Sequence, residues 1–215
     1  MFIPNHFSAP STEAIEALIR TFPLANLLTP CVDEPLGWAI NPIPMGLFEP
    51  LASGSRLWAH TARANPLWKS LADQPQAMVI FNGPSAYITP NAYPSKQATH
   101  RVVPTYNYTT VQLTGQLTVH HDAAVKQDIV KRLTEHHERD QVVPWSVNDA
   151  PADYLEAMLK AIVGLEFTVQ TIQAKCKVSQ NRPAADQAGV IADLESREES
   201  PAATQMAALV RRASS

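Results

Sequence analysis

Four short segments concentrate the side chains able to do chemistry. They are His60-Thr61-Ala62-Arg63-Ala64-Asn65-Pro66-Leu67-Trp68-Lys69, Gly83-Pro84-Ser85-Ala86-Tyr87-Ile88-Thr89-Pro90, Val103-Pro104-Thr105-Tyr106-Asn107-Tyr108 and Lys177-Val178-Ser179-Gln180-Asn181-Arg182-Pro183. Cations, amides, hydroxyls and aromatic rings sit in them where strands should begin or end. That mixture suits a planar ring attached to a phosphate. In the first segment, Arg63 offers the planar fork that suits phosphate oxygens. His60 and Thr61 precede it, and Asn65 caps an expected helix whose free amides form an anion site. A bland alternative stands beside this: Arg63 pairs with a local carboxylate and Asn65 only caps.

Tyr87 and Thr89 occupy alternate positions of one expected strand and so share a face. They could flank a ring and meet its polar edge, or simply line a rim. Lys96, in the polar loop that follows, would add positive charge near a phosphate. Thr105, Asn107 and Thr109 share one face of the next strand, and Tyr106 and Tyr108 share the other. Lys177, Gln180, Asn181 and Arg182 end the last strand, where Asn181 could equally be a helix cap. The seven histidines include the pairs His120-His121 and His136-His137. Neighbours on a helix diverge by about 100°, so neither pair makes a chelate, and no metal site is expected. No residue stands out as a general acid or base.

The chain has 215 residues, 45% of them hydrophobic, enough for a sizeable core. Its 17 basic residues face 20 acidic ones, a net charge of −3, which gives no electrostatic reason for general nucleic-acid affinity. Cys31 and Cys176 set no disulfide framework and read as two reduced thiols. No apolar run approaches a membrane span and no basic-then-apolar leader opens the chain, so a soluble cytoplasmic protein is expected. The seven glycines form neither Gly-x-Gly-x-x-Gly nor a Walker loop. A bound phosphate must therefore meet side chains and ordinary backbone amides.

The elements follow from periodicity and caps. Ser11 caps a helix with Ile15, Leu18, Ile19 and Phe22 on one face, and Pro23 stops it. Strands are expected at 24–29, 38–45 and 56–60, the second an edge or a bulged strand because of Pro42 and Pro44. Asn65-Pro66 starts a short helix to Ala72. Strands at 76–81 and 85–89 read as a hairpin about Asn82-Gly83. A polar loop spans 90–102 and a long strand 105–120. Helices follow at 122–138 and 151–162, then a strand over 165–178 whose phase slips at Gln170-Thr171. Helices over 184–195 and from Ser200-Pro201 close the chain.

Taken in order, the four segments resemble the PaiB family, described as FMN-binding negative transcriptional regulators with a split β-barrel. The opening Met1-Phe2-Ile3-Pro4-Asn5-His6-Phe7 is similar too, as are Pro144-Trp145-Ser146-Val147, Ala161-Ile162-Val163-Gly164 and Gly189-Val190-Ile191. The resemblance implies an α+β fold, mainly β with peripheral helices. A split-barrel domain would span 1–183, with a helical extension over 184–215. It implies FMN held at a homodimer interface by His60, Thr61, Arg63, Asn65, Tyr87, Thr89, Lys96 and Asn107. By fold analogy, Lys177, Gln180, Asn181 and Arg182 reach a partner's flavin. Two positions depart from the family. Tyr106 stands where tryptophan is usual, and Pro42 where a histidine is usual. Proline offers no donor or acceptor, so that histidine's role is lost or moves to Asn41. Direct DNA binding is not expected. The rival readings are a flavin-dependent oxidoreductase and a haem-binding or haem-degrading split barrel.

Overall fold

Local sequence signals set most element boundaries. The structure, a computed structural model, describes residues 1–71, 75–197 and 199–214. In chain order the elements are α1 (Thr12–Thr21), β1 (Leu24–Pro30), β2 (Trp38–Pro44), β3 (Gly46–Leu47), β4 (Arg56–Ala62), α2 (Leu67–Ser70) and β5 (Gln76–Ile88). Then come α3 (Ser95–Thr99), β6 (Thr105–His120), α4 (Ala123–Glu138), α5 (Ala152–Lys160), β7 (Ile162–Lys177), α6 (Ala184–Glu195) and α7 (Pro201–Ala213). Ser11 and Ser200 begin helices as the sequence predicts, and Asp122 caps a third. Ser11 Oγ accepts the Ala14 N–H at 3.3 Å, Asp122 Oδ1 accepts those of Ala124 and Val125, and Ser200 Oγ accepts that of Ala203 ahead of Pro201.

Among the described residues, seven strands form one sheet in the order β2-β1-β5-β6-β7-β4-β3. The β1–β2, β1–β5, β3–β4 and β4–β7 pairings are antiparallel. β2 is an edge strand, and its prolines explain why it can be one. The Met45 N–H turns to Pro23 O at 2.9 Å. By alternation, Pro42 and Pro44 then sit where an N–H would face away from β1, so no ladder bond is lost and the outer edge is blunted.

The hairpin expected at Asn82-Gly83 does not form; β5 runs unbroken from Gln76 to Ile88. What changes there is parity. Ala77, Val79 and Phe81 are buried, then Pro84, Ala86 and Ile88. The Asn82 side chain does not close a turn; its Oδ1 accepts the Thr110 hydroxyl of β6 at 3.1 Å. The slip expected in β7 falls where Gln170 and Thr171 are both exposed. The loop expected over 90–102 holds a 3-10 turn at Pro90–Ala92 and the short α3. The helix after Asn65 is a single turn, and its expected end at Ala72 lies outside the described residues.

The chain divides into two compact units: residues 1–15, 82–111 and 174–215, and residues 16–81 and 112–173. In the first unit the core joins Ile88, Tyr93 and Val178 to Val190 and Leu194 of α6 and Met206 and Val210 of α7. In the second, Ile19, Leu27, Leu57, Val79, Leu113, Ile129, Leu165 and Phe167 are buried. There Gly115 permits a close crossing. A Cβ on it would lie 2.0 Å from Thr168 O.

Candidate functional site

The candidate residues fall into two sets, one in each unit. His60, Thr61, Arg63 and Asn65 belong to the second unit. β4 carries the first two, with His60 opposite Gly164 and Thr61 opposite Val163. Thr61 is buried. The His60 ring keeps an exposed side, yet the packing around it lowers its pKa below the usual value by desolvation.

Arg63 reaches the protein's own backbone with two of its guanidinium nitrogens. Its Nε donates to Lys160 O at 2.8 Å and its Nη2 to Ile162 O at 3.1 Å. Its backbone N–H reaches Ala161 O, and its carbonyl accepts Trp68 Nε1 at 2.9 Å. These acceptors surround the C-terminus of α5, where carbonyls lack helical partners and the macrodipole is negative. The buried Lys126 ammonium donates to Leu159 O at the same terminus. Burial lowers its pKa, and the Arg63 charge lowers it further. Two cations thus close one helix end. Asn65 is similarly engaged. Its Oδ1 accepts the Leu67 N–H at 3.0 Å, and its Nδ2 donates to Asn41 Oδ1 at 2.9 Å. Asn41 is the residue beside Pro42 to which a displaced histidine's role could have moved.

The first unit is arranged differently. Tyr87 and Tyr106, 44% and 57% exposed, meet edge to face with ring centres 5.8 Å apart. Lys175 Nζ lies 5.3 Å from the Tyr108 ring centre and 5.9 Å from that of Phe2, and donates to Phe2 O. Lys177 Nζ donates to Thr105 Oγ1 and lies 5.9 Å from the Phe7 ring centre. Desolvation chiefly lowers the Lys177 pKa; Tyr108 opposes this, while the Lys175 and Arg182 charges add to it. After β5, Thr89 Oγ1 accepts the Asn91 N–H at 3.2 Å, and Lys96 Nζ donates to Asn91 Oδ1.

Asn107 is fully buried. Its Nδ2 donates to Ser179 Oγ at 2.9 Å, while its Oδ1, like the Thr109 hydroxyl two residues on, has no hydrogen-bond partner among the described residues. Ser179 holds φ +64°, a left-handed conformation uncommon outside glycine. Gln180 folds back on the turn, accepting the Val178 N–H and donating to Cys176 O. Arg182 stacks 4.7 Å from the Tyr93 ring centre, and Asn181 is exposed. The structure thus brings Tyr87 to Tyr106, Asn107 to Ser179 and Lys177 to Thr105. Sequence reasoning passed over Lys175, although its i, i+2 spacing from Lys177 on a strand was a usable signal. Phe2 and Ser179 fell inside segments singled out in the sequence, without a role of their own.

The first unit's donor set fits a flavin nucleotide. Tyr87 and Tyr106 expose ring edges and faces for a planar ring. Lys96, Lys175 and Lys177 supply cations, and Asn107 Oδ1 is an acceptor still lacking a donor. Among the described residues, no group of three His, Cys, Asp or Glu side chains is placed to hold a metal.

Known proteins resemble the chain in both sequence and fold. The family described as "Putative FMN-binding domain" matches residues 1–171. The protease synthase and sporulation protein PAI 2 of Bacillus subtilis is 30% identical, over 98% of this chain and 96% of its own. An uncharacterized protein of Emericella nidulans is 34% identical, over 84% of this chain and 85% of its own. Among solved structures, an FAD and heme binding protein of Mycobacterium smegmatis superposes with a TM-score of 0.56 at 17% identity, covering 79% of this chain and 73% of that one. The flavocytochrome Anf3 of Azotobacter vinelandii gives 0.55 at 16% identity, covering 79% and 69%. The fold is the α+β split barrel of flavin-binding proteins.

Proposed function

The chain belongs to this FMN-binding family of the PaiB type, with FMN as its cofactor, and we propose that its first unit holds the flavin and that the protein acts through it. The single observation that carries this is the cation–aromatic surface of that unit: the Tyr87–Tyr106 pair, with Lys175 between Phe2 and Tyr108. Bound FMN supplies a ring that takes up or releases one or two electrons. The tyrosines orient that ring and shield it from water. Lys96, held by Asn91 in the turn after Thr89, takes the phosphate, with Lys177 as a second cation. Asn107 and the Gln180-Asn181-Arg182 turn form a polar wall. Lys96 is preferred over Arg63 because the Arg63 fork already serves two backbone carbonyls. The protein works as a cytoplasmic homodimer. Among the described residues, no helix is long and apolar enough to cross a membrane.

Any effect on transcription runs through the flavin or a protein partner rather than through direct contact with DNA. DNA affinity grows with the phosphates that free Lys and Arg neutralise. Here Arg132 pairs with Asp128, Lys160 with Glu156, Arg197 with Asp193 and Arg211 with Glu195. The test is the absorbance and fluorescence of purified protein with added FMN, alongside an electrophoretic mobility shift on promoter fragments. Quenched flavin emission without a shifted band is expected. A nanomolar, competitor-resistant DNA complex at physiological salt would overturn the DNA part. Oxidation of reduced nicotinamide by the loaded protein would add an enzymatic activity to the binding.

A further inference from the structure

Asp186 lies in the first turn of α6, beyond the residues matched by the family, and is 2% exposed. Its Oδ1 accepts the Ser95 backbone N–H at 3.0 Å, and its Oδ2 accepts the Ser95 hydroxyl at 2.7 Å. Both carboxylate oxygens therefore grip one residue, the neighbour of Lys96. One turn further along α6, Gly189 comes against the same segment. A Cβ there would lie 2.0 Å from Ala92 O and 3.0 Å from Pro94. Residues 92–95 are thus fixed by backbone contact at one end and a carboxylate clamp at the other. The adjacent Gln187 ties down the turn after β7, its Nε2 donating to Ser179 O and Arg182 O.

A buried carboxylate is a costly choice for holding a turn, because desolvating the charge offsets much of what its hydrogen bonds contribute. It does fix geometry. A lysine that must meet a phosphate loses side-chain entropy on doing so, and a pre-set backbone and a partner at Nζ reduce that loss. Asn91 provides the partner, and Asp186 with Gly189 provides the backbone.

We propose that Asp186 is a positioning residue for Lys96, so that α6, outside the matched region, is part of the FMN phosphate site. This rests on Lys96 as the phosphate's cation, and the variants separate the two claims. FMN and riboflavin differ only in the phosphate. Dissociation constants for both flavins are measured by fluorescence quenching on the full chain and on Lys96→Ala, Asp186→Asn and Ser95→Ala. Lys96→Ala should remove most of the preference for FMN. Asp186→Asn should weaken FMN about tenfold, the scale of one charge-assisted contact, and change riboflavin less than about twofold. Ser95→Ala keeps the backbone donor and should lose less, and it carries the test if Asp186→Asn folds poorly. Equal weakening of both flavins by Asp186→Asn would mean a structural role only and overturn the proposal. So would an intact preference in Asp186→Asn beside a lost one in Lys96→Ala. If Lys96→Ala itself keeps the preference, the phosphate assignment fails and the proposal with it.

Discussion

The two units use their polar side chains in opposite ways. In the second, Arg63, Lys126 and Asn65 satisfy backbone groups: the cations close the C-terminus of α5, and Asn65 holds the start of α2 and Asn41. In the first, Tyr87 and Tyr106 remain exposed, Lys175 rests on aromatic rings, and Asn107 keeps an unpartnered oxygen. The second unit's side chains meet backbone and cap positions, while the first unit's tyrosines keep exposed faces. Residue type alone does not separate these roles, since an arginine beside a threonine suits phosphate in either setting. What separates Arg63 from Lys96 is the partner each meets: backbone carbonyls at the C-terminus of α5 for Arg63, and the Asn91 side chain for Lys96.

The largest effect should come from Gly189→Ala. Its Cβ would strike the Ala92 backbone, which cannot swing aside like a side chain. An overpacking loss of about 1–3 kcal/mol is expected, read as a lower Tm and faster amide exchange in α6 and α7. An unchanged Tm would show that the turn yields. Arg63→Ala should come next. It strands two carbonyls and should cost about 1–3 kcal/mol of stability, while leaving the ratio of FMN to riboflavin affinity unchanged. A selective loss of FMN would move the phosphate site to the second unit.

Tyr87→Ala should be milder, weakening both flavins alike by roughly 0.5–1.5 kcal/mol, the worth of an aromatic contact. Tyr106→Trp, which restores the family's usual ring, should keep or tighten both. Selective loss of FMN in Tyr87→Ala would argue against ring contact. The smallest effect concerns pH. Desolvation depresses the His60 pKa below 6.5 in the folded state, so the unfolded chain binds more protons between the folded pKa and 6.5. Stability then rises with pH through that window and is lost as pH falls. His60→Asn should flatten the slope of Tm against pH below 6.5. His136, depressed mainly by burial, acts in the same direction, so the flattening is partial. A slope unchanged by His60→Asn contradicts the assignment.

Legibility followed sequence distance. Ser11 and Ser200 cap helices within three residues, and each could be read directly. The end of the β7 alternation at the two exposed residues Gln170 and Thr171 was also visible, because alternation is a local property. Asn82-Gly83 misled because the dipeptide marks a hairpin only when flanking strands pair with each other; here the Thr110 hydroxyl of β6 takes Asn82 instead. The pairs that shape the candidate site, Ser95 with Asp186 and Asn107 with Ser179, are 91 and 72 residues apart. No spacing rule reaches that far. Arg63 was read by the chemistry it could do, and its bonds to Lys160 O and Ile162 O depend on where the chain places α5.

The most direct measurement is the ratio of FMN to riboflavin affinity in Lys96→Ala and Arg63→Ala, each compared with the unaltered chain by flavin fluorescence. The unaltered chain should quench FMN and bind it more tightly than riboflavin. Lys96→Ala should erase that preference, and Arg63→Ala should keep it while melting earlier. Preference erased by Arg63→Ala and kept by Lys96→Ala, or no quenching of FMN at high micromolar concentration, would contradict a flavin phosphate held by the first unit.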